Sequence, residues 1–173
     1  MSRIAVLFVA LISYSAFGGS DVIALSDKEK SDVLRAADIV RHAILNQDSN
    51  ALLAAISSSQ GLGCTDDKFS HKRVRMDLRN PNSFLYIGLF DTSKFIDRCG
   101  SAYPANFSAK SEKDFFEHIT APKMEITFAK KNYATVTFQS TVEGYYPVEY
   151  SFRKERGQWK LVYGLIIGGC TCG

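Results

Sequence analysis

Hydrophobic and polar positions alternate with a period of two through most of residues 123–167, and that stretch predicts the sheet around which the chain is arranged. Over 123–129, Met124, Ile126 and Phe128 fall on one face and Glu125 and Thr127 on the other. Lys130, Lys131 and Asn132 form a polar turn. Over 133–142, Ala134, Val136 and Phe138 oppose Tyr133, Thr135 and Thr137. Glu143 and Gly144 break the pattern. Pro147 has no N–H for a ladder and belongs at a strand start or edge. Val148, Tyr150 and Phe152 then alternate with Glu149, Ser151 and Arg153, and Arg156 with Gly157 turns the chain. Over 158–167, Trp159, Leu161, Tyr163 and Leu165 share one side. Leu165, Ile166 and Ile167 are apolar on both faces, so that end is expected to be covered. Four strands with short turns predict an antiparallel meander, one face of which must be hidden from water.

The cover comes from upstream, where the period changes to that of helices. Ser26 and Glu29 make a capping box. Val33, Ala37, Val40 and Ile44 form the apolar stripe of a long helix over 26–46. His42 sits one position off that stripe and reads as a boundary residue. Asp48 caps a second helix with Leu52, Leu53 and Ile56, after which Gly61 to Cys64 crosses to the next element. Ser70 caps a short helix that ends before Asn80 and Pro81. Ser83 caps a fourth helix through Phe95, 97–110 reads as a loop, and Ser111 caps a fifth helix carrying Phe115, Phe116 and Ile119. The fold class is α+β: N-terminal helices packed on a C-terminal four-stranded antiparallel meander.

Two of these stretches resemble the SnoaL-like, nuclear-transport-factor-like α+β cone superfamily. The run from His42 through Asp48, Leu52 and Leu53 to Ile56 is similar to its opening helix hairpin, in which a long helix turns at an acidic residue into a short Leu-rich one. The segment 148–165, with a Gly turn leading into Trp159-x-Leu161, is similar to its closing hairpin. The resemblance implies a curved sheet wrapped around the long helix with a pocket between them. It also implies either a binding domain or an isomerase, cyclase or dehydratase with carboxylates, histidines or tyrosines inside the cone. None of those catalytic positions matches a residue here. Glu125, Glu143 and Glu149 are the acids considered, and the alternation around Glu125 places it on a solvated outer face.

The first residues follow another rule. Arg3, the apolar run 4–12 and the small residues Ala16, Gly18 and Gly19 have the form of a secretory signal, too short to span a membrane. We expect 1–18 to be a signal peptide and 19–173 a single domain, secreted or periplasmic and free of the membrane once the signal is removed. With 21 basic and 18 acidic residues, the net charge of +3 lacks the strong basicity of a dedicated nucleic-acid binder.

Two surface features and the cysteines remain. Lys72, Arg75 and Arg79, with Lys68 nearby, form a basic stripe opposite the inward Val74 and Leu78, suited to an acidic protein. Tyr145 and Tyr146 form an aromatic loop of the kind that anchors interfaces. A small apolar ligand in the cone is the other partner class. No catalytic triad, zinc-protease helix, phosphate loop or dinucleotide fingerprint is present. No cofactor or metal is expected, and the inventory favours a binding or interaction domain, such as an inhibitor or immunity protein, over an enzyme. The four cysteines, Cys64, Cys99, Cys170 and Cys172, suit disulfides in an exported chain. A Cys170–Cys172 bridge would close too tight a ring, so each tail cysteine is expected to join Cys64 or Cys99. Each such loop contributes on the order of 4 kcal/mol in the chain-entropy model. Non-reducing peptide mapping should find tail peptides linked to both upstream peptides; four free thiols in native protein would overturn the pairing.

Overall fold

The capping pattern at Ser26 does start a helix. The Ser26 hydroxyl accepts from the Glu29 N–H at 3.3 Å, and the Glu29 carboxylate accepts from the Ser26 N–H at 3.2 Å. The computed structural model describes residues 25–64, 67–99, 111–119, 122–140, 142 and 147–164. The expected signal segment 1–18, all four cysteine side chains, and Tyr145 and Tyr146 lie outside the described residues.

The helices are α1 (Asp27–Leu45), α2 (Ser49–Ala55), α3 (His71–Asp77), α4 (Phe84–Phe90), α5 (Thr92–Cys99) and α6 (Glu112–His118). The strands are β1 (Leu62–Cys64), β2 (Asp67–Phe69), β3 (Lys123–Lys130), β4 (Tyr133–Gln139), β5 (Val148–Glu155) and β6 (Gln158–Tyr163). They form one sheet in the order β2-β1-β6-β5-β4-β3. The class is α+β as expected, but the described sheet has six strands rather than four. The two extra ones have three residues each, too few to register as an alternation. β1 runs parallel to β6, guided there by a bond from the Ser57 N–H to the Leu161 carbonyl at 2.9 Å. Gly61 enters that strand at φ 71°, where a Cβ would stand 2.0 Å from the Phe69 carbonyl oxygen, so only glycine fits.

Two bulges correct the predicted faces. Ile126 pairs with Val136 but Phe128 pairs with Thr135, so Thr127 is an extra residue. Beyond it the alternation inverts. Ala129 turns inward, while Phe128 faces out beside Tyr133, ring centroids 6.0 Å apart. In β6, Phe152 pairs with Leu161 but Ser151 with Tyr163, which makes Val162 the extra residue and leaves Tyr163 on the outer face. Trp159 and Leu161 face the core as expected. The predicted fourth helix is in fact two. The Asp91 carboxylate accepts from the Lys94 N–H at 3.0 Å, which ends α4 and caps α5. The span 92–99 is therefore helical where a helix end and a loop were predicted.

Val33, Ala37, Val40 and Ile44 of α1 are buried with the inner face of the sheet. The deepest layer is aromatic: Phe116 of α6 meets Phe138 at 5.1 Å, and Phe138 meets Tyr150 at 5.3 Å, both edge-on. Among the described residues no helix is long and apolar enough to cross a membrane. Trp159 is 6% exposed. Its indole N–H has no acceptor among the described residues, which offsets part of the benefit of burial. Trp159→Ala should lower unfolding stability by about 3–5 kcal/mol, measured by denaturant titration; an unchanged midpoint would contradict the packing.

Candidate functional site

The candidate surface lies where α2 leaves the helix hairpin and runs beside β6. Asp48 turns the chain out of α1 and caps α2, accepting from the N–H groups of Asn50 and Ala51 at 3.0 and 2.9 Å. At the other end of α2, Lys160 Nζ donates to the Ala54 carbonyl at 2.8 Å. That carbonyl belongs to a last helical turn carrying partial negative charge, which suits an ammonium. His71 Nε2 lies 3.3 Å from the Leu53 carbonyl and donates to it in the Nε2–H tautomer.

These contacts frame a cleft of about 320 Å³, lined by Asn50, Leu53, Ala54, Ile56, Ser58, His71, Arg75 and Lys160. Two permanent cations and an imidazole share it with no carboxylate in its lining. Next to it, between α1, α2 and the β5–β6 turn, lies a groove of about 560 Å³. Its walls include Ala36, Ile39, Ala51, Ala55 and Trp159, with Asp32 and Arg35 as its ion-paired charges.

The predicted basic stripe divides. Arg75 enters the cleft, while Lys68, Lys72 and Arg79 are exposed outside its lining. Lys68 lies on β2, two residues before the Ser70 cap of α3. None of these four cations has an ion pair among the described residues, whereas Arg73 beside them is neutralised by Asp77 at 2.8 Å. Lys160 and His71 were not expected here. Lys160 reaches the site through a contact spanning 106 positions of sequence, and nothing local to it signals that pairing.

The acids considered for a cone pocket do not gather in one. Glu125 pairs with Lys123 and Glu149 accepts from Thr137 at 3.2 Å, both on the outer face; Glu143 lies outside the described residues. His42 is on the exposed side of α1 near Asp38. The buried acid is instead Glu112, at the start of α6, which the sequence pattern did not single out. Its carboxylate accepts from the Tyr150 hydroxyl at 2.7 Å, with Glu112 1% and Tyr150 0% exposed. Burial first, then the charge and hydrogen bond of Glu112, push the Tyr150 phenol well above its ordinary range. Tyr150 therefore keeps its proton at neutral pH and acts as a hydrogen-bond donor to Glu112. Among the described residues no group of three or more His, Cys, Asp and Glu side chains is placed to hold a metal.

The loop carrying Ser58 is held by its neighbours. Glu155 Oε1 accepts from Ser57 Oγ at 2.5 Å and from Ser59 Oγ at 2.7 Å. Burial works to raise the Glu155 carboxyl, but the two serine hydroxyls and the charges of Arg153 and Lys160 outweigh it, and the value falls below the ordinary 4.5. A lowered folded value means stability that is complete above the unfolded value and is lost as pH falls through the folded one. Glu155→Gln should therefore flatten the acid side of the stability profile below about pH 4.5. Thermal melts from pH 7 to 3 would check this, and parallel profiles for parent and variant would refute it.

No family model matches the chain, and no curated protein matches it in sequence. Among solved structures the chain is similar to a protein of unknown function with a cystatin-like fold from Nostoc punctiforme, at 12% identity and TM-score 0.44, over 83% of this chain and 93% of that one. It is also similar to a protein of unknown function from Mycobacterium tuberculosis, at 13% identity and TM-score 0.38, over 81% of this chain and 71% of that one. A third is a putative calcium/calmodulin dependent protein kinase II association domain from Xanthomonas campestris, at 10% identity and TM-score 0.35, over 84% of this chain and 90% of that one.

Proposed function

We propose that this chain is a small exported binding domain of the cone-like α+β kind, and that its recognition surface is the cationic face centred on Arg75, His71 and Lys160. The partner it suits is anionic. The carrying observation is that Lys68, Lys72, Arg75 and Arg79 have no ion pairs among the described residues, while the cleft that Arg75 enters is lined by no carboxylate. Clustered cations repel one another, and an incoming anion relieves that repulsion while forming charge-assisted hydrogen bonds. The SnoaL-like resemblance is compatible with a binding domain.

A second reading, a pocket enzyme, draws on the buried Glu112–Tyr150 pair, since coupled titratable groups in a core are a feature of active sites. Neither of the two clefts described includes that pair.

The test uses a fluorescently labelled hexaglutamate peptide as the anionic probe. Anisotropy should show binding that weakens with salt, because the Debye length shortens to about 8 Å at physiological ionic strength. Reversing both Arg75 and Arg79 to Glu should weaken it at least about tenfold at low salt, or about 1.4 kcal/mol, and less as salt rises. Both side chains are exposed, so stability should move by no more than about 0.5 kcal/mol. Equal affinities for parent and variant across the salt series would remove this face from the binding site.

A further inference from the structure

The cationic cleft is not isolated. It shares Ala54 and Lys160 with the larger groove, so the two adjoin across the Lys160–Ala54 contact, and the depression they make together has distinct chemistry at its ends. At one end stand Arg75, His71 and the Lys160 ammonium. At the other the walls are largely apolar: alanines of α1 and α2, the Trp159 ring, and Ile39, which is 50% exposed although it is a large aliphatic side chain, beside Gln158 and the mutually paired Asp32 and Arg35. The volumes, about 560 and 320 Å³, fall in the range of about 300–1,000 Å³ that small-molecule sites occupy.

From this we infer that the depression binds a small amphipathic anion, a free medium-chain alkyl carboxylate, with its head in the cleft and its chain in the groove. This rests on the reading of the cleft as anion-binding and adds the apolar arm. Lys160 stands at the junction. One of its three N–H donors is used by the Ala54 carbonyl, and the others remain to meet a carboxylate. Arg75 supplies a planar fork that matches a carboxylate. The groove is shallow-walled because its helical positions carry alanines, and that leaves room for an unbranched chain rather than a bulky ring system. It lies on the outer flank of α1, not on the Val33–Val40 stripe that faces the sheet. The groove therefore opens on the side of α1 away from the sheet.

Trp159 is the chain's only tryptophan, so its emission reports the groove directly. The experiment titrates acetate, hexanoate, octanoate and decanoate, each below its micellar concentration, following Trp159 fluorescence and heat. Affinity should rise by up to about fourfold for each methylene that is buried, and 1-octanol should bind more weakly than octanoate. Arg75→Gln should weaken all the carboxylates by a common factor. Ile39→Gln, on an exposed helix position, should flatten the chain-length series and leave hexaglutamate binding unchanged.

A series independent of chain length, octanol binding as tightly as octanoate, or a chain-length slope that survives Ile39→Gln would each overturn the inference. If hexaglutamate binds while the alkyl series does nothing, the cationic cleft stands and the groove's role falls. If neither binds, both fall. Binding only to phosphatidylglycerol vesicles, with none to free decanoate, would assign the surface to a membrane and overturn the proposal.

Discussion

A twisted sheet with one apolar face depends on whatever covers that face. Ala134, Val136, Phe138, Tyr150, Phe152 and Leu161 all point the same way, and every one is at or near complete burial. The stripe of α1 and the phenylalanines of α6 make up that cover, and the position of nearly everything else follows. Because α1 lies against the sheet, its hairpin partner α2 lies near β6. Because α6 lies over β4 and β5, Glu112 meets the Tyr150 hydroxyl beside the buried aromatic layer of the core. A buried carboxylate is costly unless it is paired or hydrogen-bonded. The bond to Tyr150 is thus a condition of the packing as well as a product of it.

Legibility in the sequence followed the length of each pattern. α1 was readable because its nineteen residues carry a cap, a stripe and a terminating turn. β4 and β5 were readable because apolar and polar residues alternate through the seven residues of β4 and through β5 as far as Arg153. The two bulges were not. An extra residue in a strand leaves the local string of apolar and polar residues plausible and changes only which face each later one occupies. Phe128 and Tyr163 were therefore assigned inward when the register places both outward. β1 and β2 escaped because a three-residue strand has no period to detect. The split at Asp91 was a question of competition: an aspartate inside a helical pattern can cap a new helix as well as sit on an old one.

The site was legible only in part, for a related reason. Arg75 could be placed from the spacing of α3 alone. Lys160 and His71 join it through contacts to the carbonyls of α2, and such contacts are made by topology rather than by neighbouring sequence. Electrostatics ties these parts together. The same helix end that gives Lys160 and His71 their carbonyl partners fixes the distance between the cations and the alanine-lined groove. Glu155, held by two serine hydroxyls, stands behind that arrangement as a nearby negative charge outside the cleft lining.

β3 ends the sheet in the described strand order, so one side of its backbone has no ladder partner there. An edge of eight residues left unpaired among the described strands is long enough to template another chain and begin edge-to-edge association. The inserted Thr127 breaks it near its middle. A strand arriving from another molecule would keep register for only a few residues before meeting the kink, and Lys123 and Lys130 guard the two ends with charge. The bulge that turns Phe128 toward solvent therefore also interrupts polymerisation along the edge, so deleting Thr127 would trade an exposed phenylalanine for a straight and adhesive strand.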